Sequence, residues 1–163
     1  MKALILNSGM GSRMGGLTSK QPKCMTEISN RETILSHQLK IIADAGIDEV
    51  VMTTGLFDSV LINYVQSLDL PLHFTFVKNP IYKDTNYIYS IYCARGYLDD
   101  DIILMHGDLV FETTVFDAIL NSEESCMAVS TTQPLPEKDF KAVIRKGHIS
   151  KIGIEFFNTS VEA

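Results

Sequence analysis

The sequence has no tryptophan and only three cysteines among its 163 residues. Cys24, Cys93 and Cys126 are widely spaced and odd in number, a pattern that favours neither a disulfide framework nor a paired zinc motif. Basic residues are also few, because 14 lysines and arginines against 20 acidic residues leave a formal charge of -6. No basic stripe is present to neutralise a phosphate backbone, so we expect no binding to nucleic acid.

Long hydrophobic runs are missing as well. No stretch approaches the length that spans a membrane, and the apolar residues before Asn7 are too few for the core of a signal peptide. We therefore expect a cytoplasmic protein without a membrane segment. A hydrophobic fraction of 45% is nevertheless enough for one sizeable core, which predicts a single domain.

Apolar runs alternate with helical patterns along the chain, an order that predicts an α/β fold around a largely parallel sheet. Strands are expected near 3–7, 49–54, 72–77, 101–106, 126–131, 141–146 and 149–153. The first helix is expected to begin after Ser29, whose spacing to Glu32 fits a capping box, and to end at Gly46. Further helices are expected near 58–67, 86–96 and 113–120. Gly147 predicts the turn of a late hairpin.

A glycine-rich loop follows the first predicted strand, between Gly9 and Lys23. Glycines such as Gly9 and Gly11 let the backbone bring its N–H groups close to an anion, and Arg13 and Lys23 add positive charge. A strand-to-helix turn with incidental glycines would be the better interpretation of a bare glycine pair. Two cations at the carboxyl end of a strand instead favour a phosphate-binding loop, although the spacing matches neither the Rossmann nor the Walker pattern.

A carboxylate, Asp108, follows the apolar strand predicted to end at residue 106. Ligands of open α/β sheets bind beyond the carboxyl ends of strands where the strand order reverses, so Asp108 can face the glycine loop. Mg²⁺ takes one or two carboxylates together with phosphate oxygens, which makes Asp108 a candidate ligand. The alternative is an aspartate that caps the next turn. We expect His106 to be a packing residue and the acidic run 99–101 to be a solvated turn at the opposite end of the strand.

A polar segment from Asn79 to Ser90 bridges a predicted strand and a predicted helix. Side chains of Asn79, Thr85, Asn86 and Ser90 can converge at a helix N-terminus and contact a base or a ribose. Two alternatives stay open. Asn79 and Thr85 could only satisfy the backbone of a turn and a cap, and the neighbouring tyrosines could belong to the core.

Together these motifs resemble those of the nucleotidyltransferases that activate sugar phosphates and alcohol phosphates, and among them the bacterial phosphocholine cytidylyltransferases. The resemblance rests on the spacing from Gly9 to Lys23, on the segment from Asn79 to Ser90 and on Asp108. It implies a Rossmann-like three-layer α/β/α fold with a mostly parallel sheet. The implied reaction is transfer of a cytidylyl group from CTP to a phosphate monoester such as phosphocholine, with release of pyrophosphate and with Mg²⁺ as cofactor.

The resemblance also implies a role for each residue of the motifs. Arg13 would favour the departing pyrophosphate, Lys23 would neutralise charge on the α-phosphate, and Asp108 would anchor Mg²⁺. Nucleotide binding is expected of Asn7, Ser8, Gly9, Gly11, Ser12, Asn79, Thr85, Asn86 and Ser90. Asn7 and Ser8 stand where the family usually has Ala-Ala or Ala-Gly, so we expect altered contacts to the base.

Such relatives continue well beyond this length, so we expect one nucleotidyltransferase domain over 1–163 that holds the nucleotide-binding part of the fold. The C-terminal acceptor-binding part and a second acidic metal ligand would then be missing. A sugar-1-phosphate nucleotidyltransferase that uses another base and a nucleotide-binding module without catalysis remain as alternatives. No aromatic cage for a choline group can be assembled from a chain without tryptophan, so the acceptor stays open.

Overall fold

The computed structural model describes residues 1–9, 20–130, 132 and 140–154. Strands within these ranges are β1 Lys2–Leu6, β2 Glu27–Ser29, β3 Glu32–Thr33, β4 Glu49–Thr54, β5 His73–Lys78, β6 Ile102–His106, β7 Lys141–Arg145 and β8 His148–Gly153. Helices are α1 Ile34–Asp44, α2 Asp58–Ser67, α3 Tyr87–Ala94 and α4 Thr113–Leu120, with short 3-10 helices at Lys23–Met25 and Arg95–Tyr97. Met1–Leu120 form one compact unit, and the described part of Asn121–Ala163 forms a second.

Four parallel strands build the sheet of the first unit, in the order β5-β4-β1-β6. The chain adds β4 and then β5 on one side of β1 and returns to place β6 on the other side. In register, Leu6 lies between Thr53 of β4 and His106 of β6. The strand order therefore reverses between β1 and β6, and the ligand crevice of such a sheet lies at the carboxyl ends of these two strands.

The side chains of β1 enter hydrophobic cores on both faces of the sheet. Ala3 and Ile5 pack in the larger core, to which α1 and α2 contribute, whereas Leu4 and Leu6 pack with Ala94 of α3. None of the four β1 residues is more than 7% exposed. A strand that is covered on both faces is a continuous apolar run, which is why the sequence made β1 recognisable. The predicted α/β fold with a parallel central sheet is confirmed.

The predicted start of the first helix is wrong. Ser29 lies in β2 and donates to the Glu32 carboxylate at 3.0 Å within the β2–β3 hairpin, so this pair is not a capping box. Thr33 caps α1 instead, because its side-chain oxygen accepts from the Ser36 N–H at 3.0 Å and the Ser36 hydroxyl accepts from the Thr33 N–H at 2.9 Å. Arg31, with a φ of 66°, turns the chain first, and this hairpin delays the helix.

The strand predicted near 126–131 is also wrong over the part that the structure describes. None of residues 126–130 is in a strand, and Met127 and Val129 are 40% and 43% exposed. An apolar run becomes a strand only when the backbone of another segment pairs with it, and none of the described sheets includes this run. Amino-acid composition alone could not predict that this run is not part of a described sheet.

The two predicted glycine positions are confirmed. Gly46 has a φ of 76° and follows the last residues of α1, and its N–H donates to the carbonyl of Ala43 at 3.0 Å. Lys146 and Gly147, with φ of 51° and 78°, form the two-residue turn between β7 and β8. Among the described residues, no helix is long and apolar enough to cross a membrane.

Candidate functional site

The carboxyl ends of β1 and β6 bring residues from distant parts of the sequence to one edge of the sheet. Beyond β1 the backbone stays attached to both neighbouring strands. The N–H of Asn7 donates to the Thr53 carbonyl at 3.2 Å, and the N–H of Gly107 donates to the Leu6 carbonyl at 3.1 Å. The glycine loop therefore starts at Gly9, where the strand order reverses, and its described part resumes at residue 20. Gly11, Ser12 and Arg13 lie outside the described residues.

An ion pair joins the second cation of the loop to the strand-end carboxylate. Lys23, in the first 3-10 helix, places its Nζ 3.2 Å from Oδ2 of Asp108, which follows β6. The two side chains are 24% and 43% exposed. A pair with this exposure contributes at most about 1 kcal/mol to stability. The arrangement brings a positive and a negative group to the crevice.

Asp108 also fits the donor set of a magnesium ion. Mg²⁺ prefers oxygen ligands and in nucleotide sites is held by one or two carboxylates, with water and phosphate oxygens completing its shell. The described residues contain no cluster of three or more histidine, cysteine or acidic side chains that could hold a metal ion by themselves. One partly exposed carboxylate is thus suited to a metal that arrives with a triphosphate.

A buried hydrogen-bond network connects the loop start to the polar segment that follows β5. The hydroxyls of Ser8 and Ser90 lie 2.6 Å apart, and Nδ2 of Asn79 donates to the hydroxyls of Thr85 and Ser90, both at 3.0 Å. Asn79 is 1% exposed and Ser90 is fully buried. Oδ1 of Asn79 accepts from the N–H of Ile81 at 3.0 Å, so Asn79 also satisfies the backbone of a turn, as the alternative interpretation expected. The network positions the segment beside the glycine loop, and direct contact of these residues with a base or a ribose stays a prediction.

Asn86 and the tyrosines of α3 have different environments. Asn86 caps α3, since its Oδ1 accepts from the N–H of Ile88 at 3.0 Å, and it remains exposed. Tyr92 is 54% exposed and Tyr89 is half-buried, so the tyrosines do not form a closed core. Because Asn86 is exposed, the part of its amide that does not cap the helix is accessible.

His106 and the acidic run 99–101, at opposite ends of β6, have the environments that the sequence predicted. His106 packs against the ring of Tyr87 in an edge-on contact with centroids 5.0 Å apart. At the other end of the strand, Lys2 contacts Asp99 at 2.8 Å and Glu49 at 2.9 Å. These carboxylates raise the pKa of Lys2, and the hydrogen bond from Lys2 lowers the pKa of Asp99. Asp99 is 74% exposed in this pair, as expected for a solvated turn away from the crevice.

A model of the MobA-like NTP transferase domain matches residues 3–144. The chain belongs to this family. It is 33% identical over 135 residues to the CTP:phosphoglutamine cytidylyltransferase of Campylobacter jejuni. The matched region covers 79% of this chain and 52% of that protein. The chain therefore spans about half the length of that relative.

Solved structures agree with the family. The inositol-1-phosphate CTP transferase from T. maritima is similar with a TM-score of 0.78 and 23% identity, over 96% of this chain and 64% of that chain. The CTP:phosphocholine cytidylyltransferase from Streptococcus pneumoniae is similar with a TM-score of 0.56 and 25% identity, over 66% of this chain and 44% of that chain. The predicted resemblance to nucleotidyltransferases and the predicted Rossmann-like fold are confirmed.

Sequence reasoning missed Gln38, a fully buried residue in the middle of α1. Its Nε2 donates to the carbonyls of His106 at 3.0 Å and Leu109 at 2.7 Å, one on each side of Asp108. A signal was present, because Gln38 lies four residues after Ile34 and interrupts the apolar face of the helix with a polar group.

Asn7 and Gly107 form a second contact that the sequence did not reveal. A Cβ on Gly107 would overlap the side-chain amide of Asn7, so the two residues are in close contact. Asn7 is 9% exposed, and its Nδ2 has no hydrogen-bond partner among the residues that the structure describes. A buried donor without a partner costs free energy, so Asn7 offers a hydrogen bond to a ligand that enters the crevice.

Cys24, directly after Lys23, allows a test of this part of the site. Cys24 is 1% exposed, and burial raises the pKa of its thiol to about 12. We expect iodoacetamide at pH 8 to modify the exposed Cys126 and to leave Cys24 unmodified in the native protein, because the thiolate is the reactive form. Peptide mass spectrometry measures both sites, and unfolding in urea should make them equally reactive. Rapid native modification of Cys24 would show that Lys23–Met25 is not held as described.

Proposed function

We propose that this chain binds CTP and takes part in transfer of its cytidylyl group to a small phosphate monoester, with release of pyrophosphate. The ion pair of Lys23 and Asp108 at the reversal of strand order, beside the start of the glycine loop, carries the proposal. Support also comes from the relatives, since the C. jejuni and S. pneumoniae enzymes are named for CTP and for phosphoglutamine and phosphocholine.

In the proposed reaction an oxygen of the phosphate monoester attacks the α-phosphorus of CTP, and pyrophosphate leaves with the electron pair of the broken P–O bond. The protein has to position the reactants and stabilise charge rather than form a covalent bond. Lys23 would neutralise charge on the α-phosphate, and Arg13 would stabilise the departing pyrophosphate. Backbone N–H groups of the loop around Gly9, Gly11 and Ser12 would hold the triphosphate.

Asp108 is the residue that we propose to hold Mg²⁺. When bound, this ion would neutralise the triphosphate and keep donor and acceptor oxygens together. The Lys23 ammonium lies 3.2 Å from this carboxylate and would neutralise charge on the α-phosphate.

The proposal assigns recognition of the base and the ribose to the walls of the crevice. Asn7 offers a buried donor, and Asn86 offers an exposed amide. Ser8 contacts Ser90, and Asn79 donates to both Ser90 and Thr85. An uncharged donor such as Nδ2 of Asn7 suits a carbonyl or hydroxyl oxygen, which both the cytosine base and the ribose present.

Calorimetric titration with CTP, UTP, GTP and ATP in the presence of Mg²⁺ tests the nucleotide, and release of pyrophosphate with a panel of phosphate monoesters tests the reaction. We expect the tightest binding for CTP and pyrophosphate release that depends on an acceptor. Preference for another triphosphate together with a sugar 1-phosphate would favour the sugar-phosphate alternative. Binding of CTP without pyrophosphate release by any acceptor would favour a binding module, and absence of any triphosphate binding would overturn the proposal.

A further inference from the structure

The turn after β6, which carries Asp108, is held by the side chain of a helix residue. The Nε2 of Gln38 donates to the carbonyl of His106 and to the carbonyl of Leu109. Both partners are acceptors only, so the group that faces them has to be the NH₂ of the amide, which has two hydrogens to donate. Both hydrogens are used, and the bonds enclose Asp108 from its two sides along the chain.

The oxygen of the Gln38 amide shows that the two bonds to the turn orient this side chain. Oε1 of Gln38 is buried and has no hydrogen-bond partner within the described parts of the chain. A buried acceptor without a partner is unfavourable, and a glutamine in an apolar core is more costly than a leucine. An apolar residue at this position would pack against the core without leaving a buried oxygen unsatisfied. The two hydrogen bonds from Gln38 to the turn offset the free energy that this oxygen costs.

Other contacts hold the same turn from neighbouring directions. The N–H of Gly107 donates to the Leu6 carbonyl, and the side chain of Asn7 lies directly against Gly107. Farther along, Nε2 of His37 lies 3.1 Å from the carbonyl of Phe111. Strand β1 thus holds one side of the turn and helix α1 the other, and Gln38 is the residue that contacts both ends of the turn.

We propose that Gln38 is a positioning residue for the reaction, which fixes the turn His106–Leu109 and thereby the place of the Asp108 carboxylate relative to Lys23. This inference rests on the proposed function. Gln38 does not contact the nucleotide in this proposal. Its effect on turnover comes from the turn, since small displacements of a charged group at a reaction centre lower the rate strongly.

Gln38→Leu removes both donors at nearly the same volume and tests the proposal. We expect pyrophosphate release at saturating CTP to fall about tenfold to a hundredfold, as for other residues that orient a metal ligand. The Mg²⁺ concentration for half-maximal rate should rise, and the KM for CTP should change by less than about threefold, because loop contacts to the nucleotide remain. In Gln38→Glu, a protonated carboxyl group donates one hydrogen bond and should restore part of the rate at low pH.

Amide hydrogen exchange gives a measurement that does not depend on activity. The N–H of Leu109 donates to the His106 carbonyl at 3.3 Å within the turn, and Gly107 donates to β1. Exchange at Leu109 and Gly107 should accelerate at least about tenfold in Gln38→Leu, because the turn opens locally when its clamp is lost.

Leu39→Ala is the matched control. Leu39 is the next residue of α1, is also fully buried and packs in the larger core. Its aliphatic side chain cannot form a hydrogen bond to the turn. Leu39→Ala should lower the melting temperature without changing the Mg²⁺ dependence or the exchange at Leu109. Gln38→Leu with unchanged exchange at Leu109, or with unchanged turnover and Mg²⁺ dependence while folded, would overturn the inference.

Two further outcomes are also decisive. If Gln38→Leu does not fold, Gln38→Met is measured by the same exchange and rate assays, with the same expected results. If the unsubstituted chain releases no pyrophosphate with any acceptor, the proposed reaction fails and the positioning role fails with it. Exchange at Leu109 then still shows whether Gln38 holds the turn, so the two failures are distinguishable.

Discussion

Replacement of Asp108 by alanine should lower the rate of pyrophosphate release by about a hundredfold or more, the effect of removing one preorganised charged group from a reaction centre. The carboxylate is the described oxygen ligand that we propose for Mg²⁺, and its loss also leaves Lys23 without its 3.2 Å partner. Lys23→Ala should lower the rate to a similar extent. The two variants should differ in their metal dependence, because only Asp108→Ala should raise the Mg²⁺ concentration required for half-maximal rate.

The control for this prediction lies at the opposite end of the same strand. Asp101 precedes β6, is exposed and carries the same charge, so Asp101→Ala changes the net charge equally without reaching the crevice. It should retain the rate and the Mg²⁺ dependence of the unsubstituted chain. Steady-state pyrophosphate release over a Mg²⁺ titration measures all three variants. A wild-type rate in Asp108→Ala or in Lys23→Ala would remove that residue from the mechanism.

Substitution of Gly107 by alanine should destabilise the protein by about 1–3 kcal/mol, the range for added volume in a closely packed site. The new Cβ would overlap the side-chain amide of Asn7, which is itself 9% exposed and has little room to move. Urea unfolding, followed by circular dichroism, measures the free energy of unfolding. Relief of this overlap would shift the backbone at Gly107 and with it Asp108, the next residue. Activity should therefore fall together with stability.

A second substitution separates steric overlap from other effects of alanine. Asn7→Ala removes the amide that the Cβ would meet, so the double variant Asn7→Ala/Gly107→Ala should recover most of the lost stability. Gly96→Ala is the matched single control, since nothing lies within 4 Å of a Cβ at Gly96. If Gly107→Ala were as stable as Gly96→Ala, or if the double variant gained nothing, Asn7 and Gly107 would not be in the contact that the structure describes.

The central part of the fold was predictable because its pattern is local. Strands buried on both faces are continuous apolar runs, so β1 and β4 were recognisable from composition. The apolar run of β6 was recognisable too, although Leu104 is 45% exposed, and Asp108 could be placed at its carboxyl end by counting residues. The prediction that Asp108 faces the glycine loop depended on a general property of parallel sheets. The contact between Lys23 and Asp108, which are 85 positions apart in the sequence, agrees with it.

The errors arose where a segment had two compatible local structures. Ser29 and Glu32 have the spacing of a capping box, yet their side chains hydrogen-bond to each other inside a hairpin. Residues 126–130 are apolar enough for a strand, yet a strand also requires a paired neighbour. In both cases the deciding interaction involves residues outside the short window in which the pattern is read.

By themselves, the residues determined the parallel α/β core, the glycine loop and the chemical types of the charged groups, because burial and backbone freedom are properties of short segments. The tertiary structure decided which of these groups meet. It brought Lys23 to Asp108, placed Asn7 against Gly107 and set Gln38 beneath the turn, through contacts between residues 68 or more positions apart. Such contacts depend on the order of strands in the sheet, which is set by the packing of the whole unit.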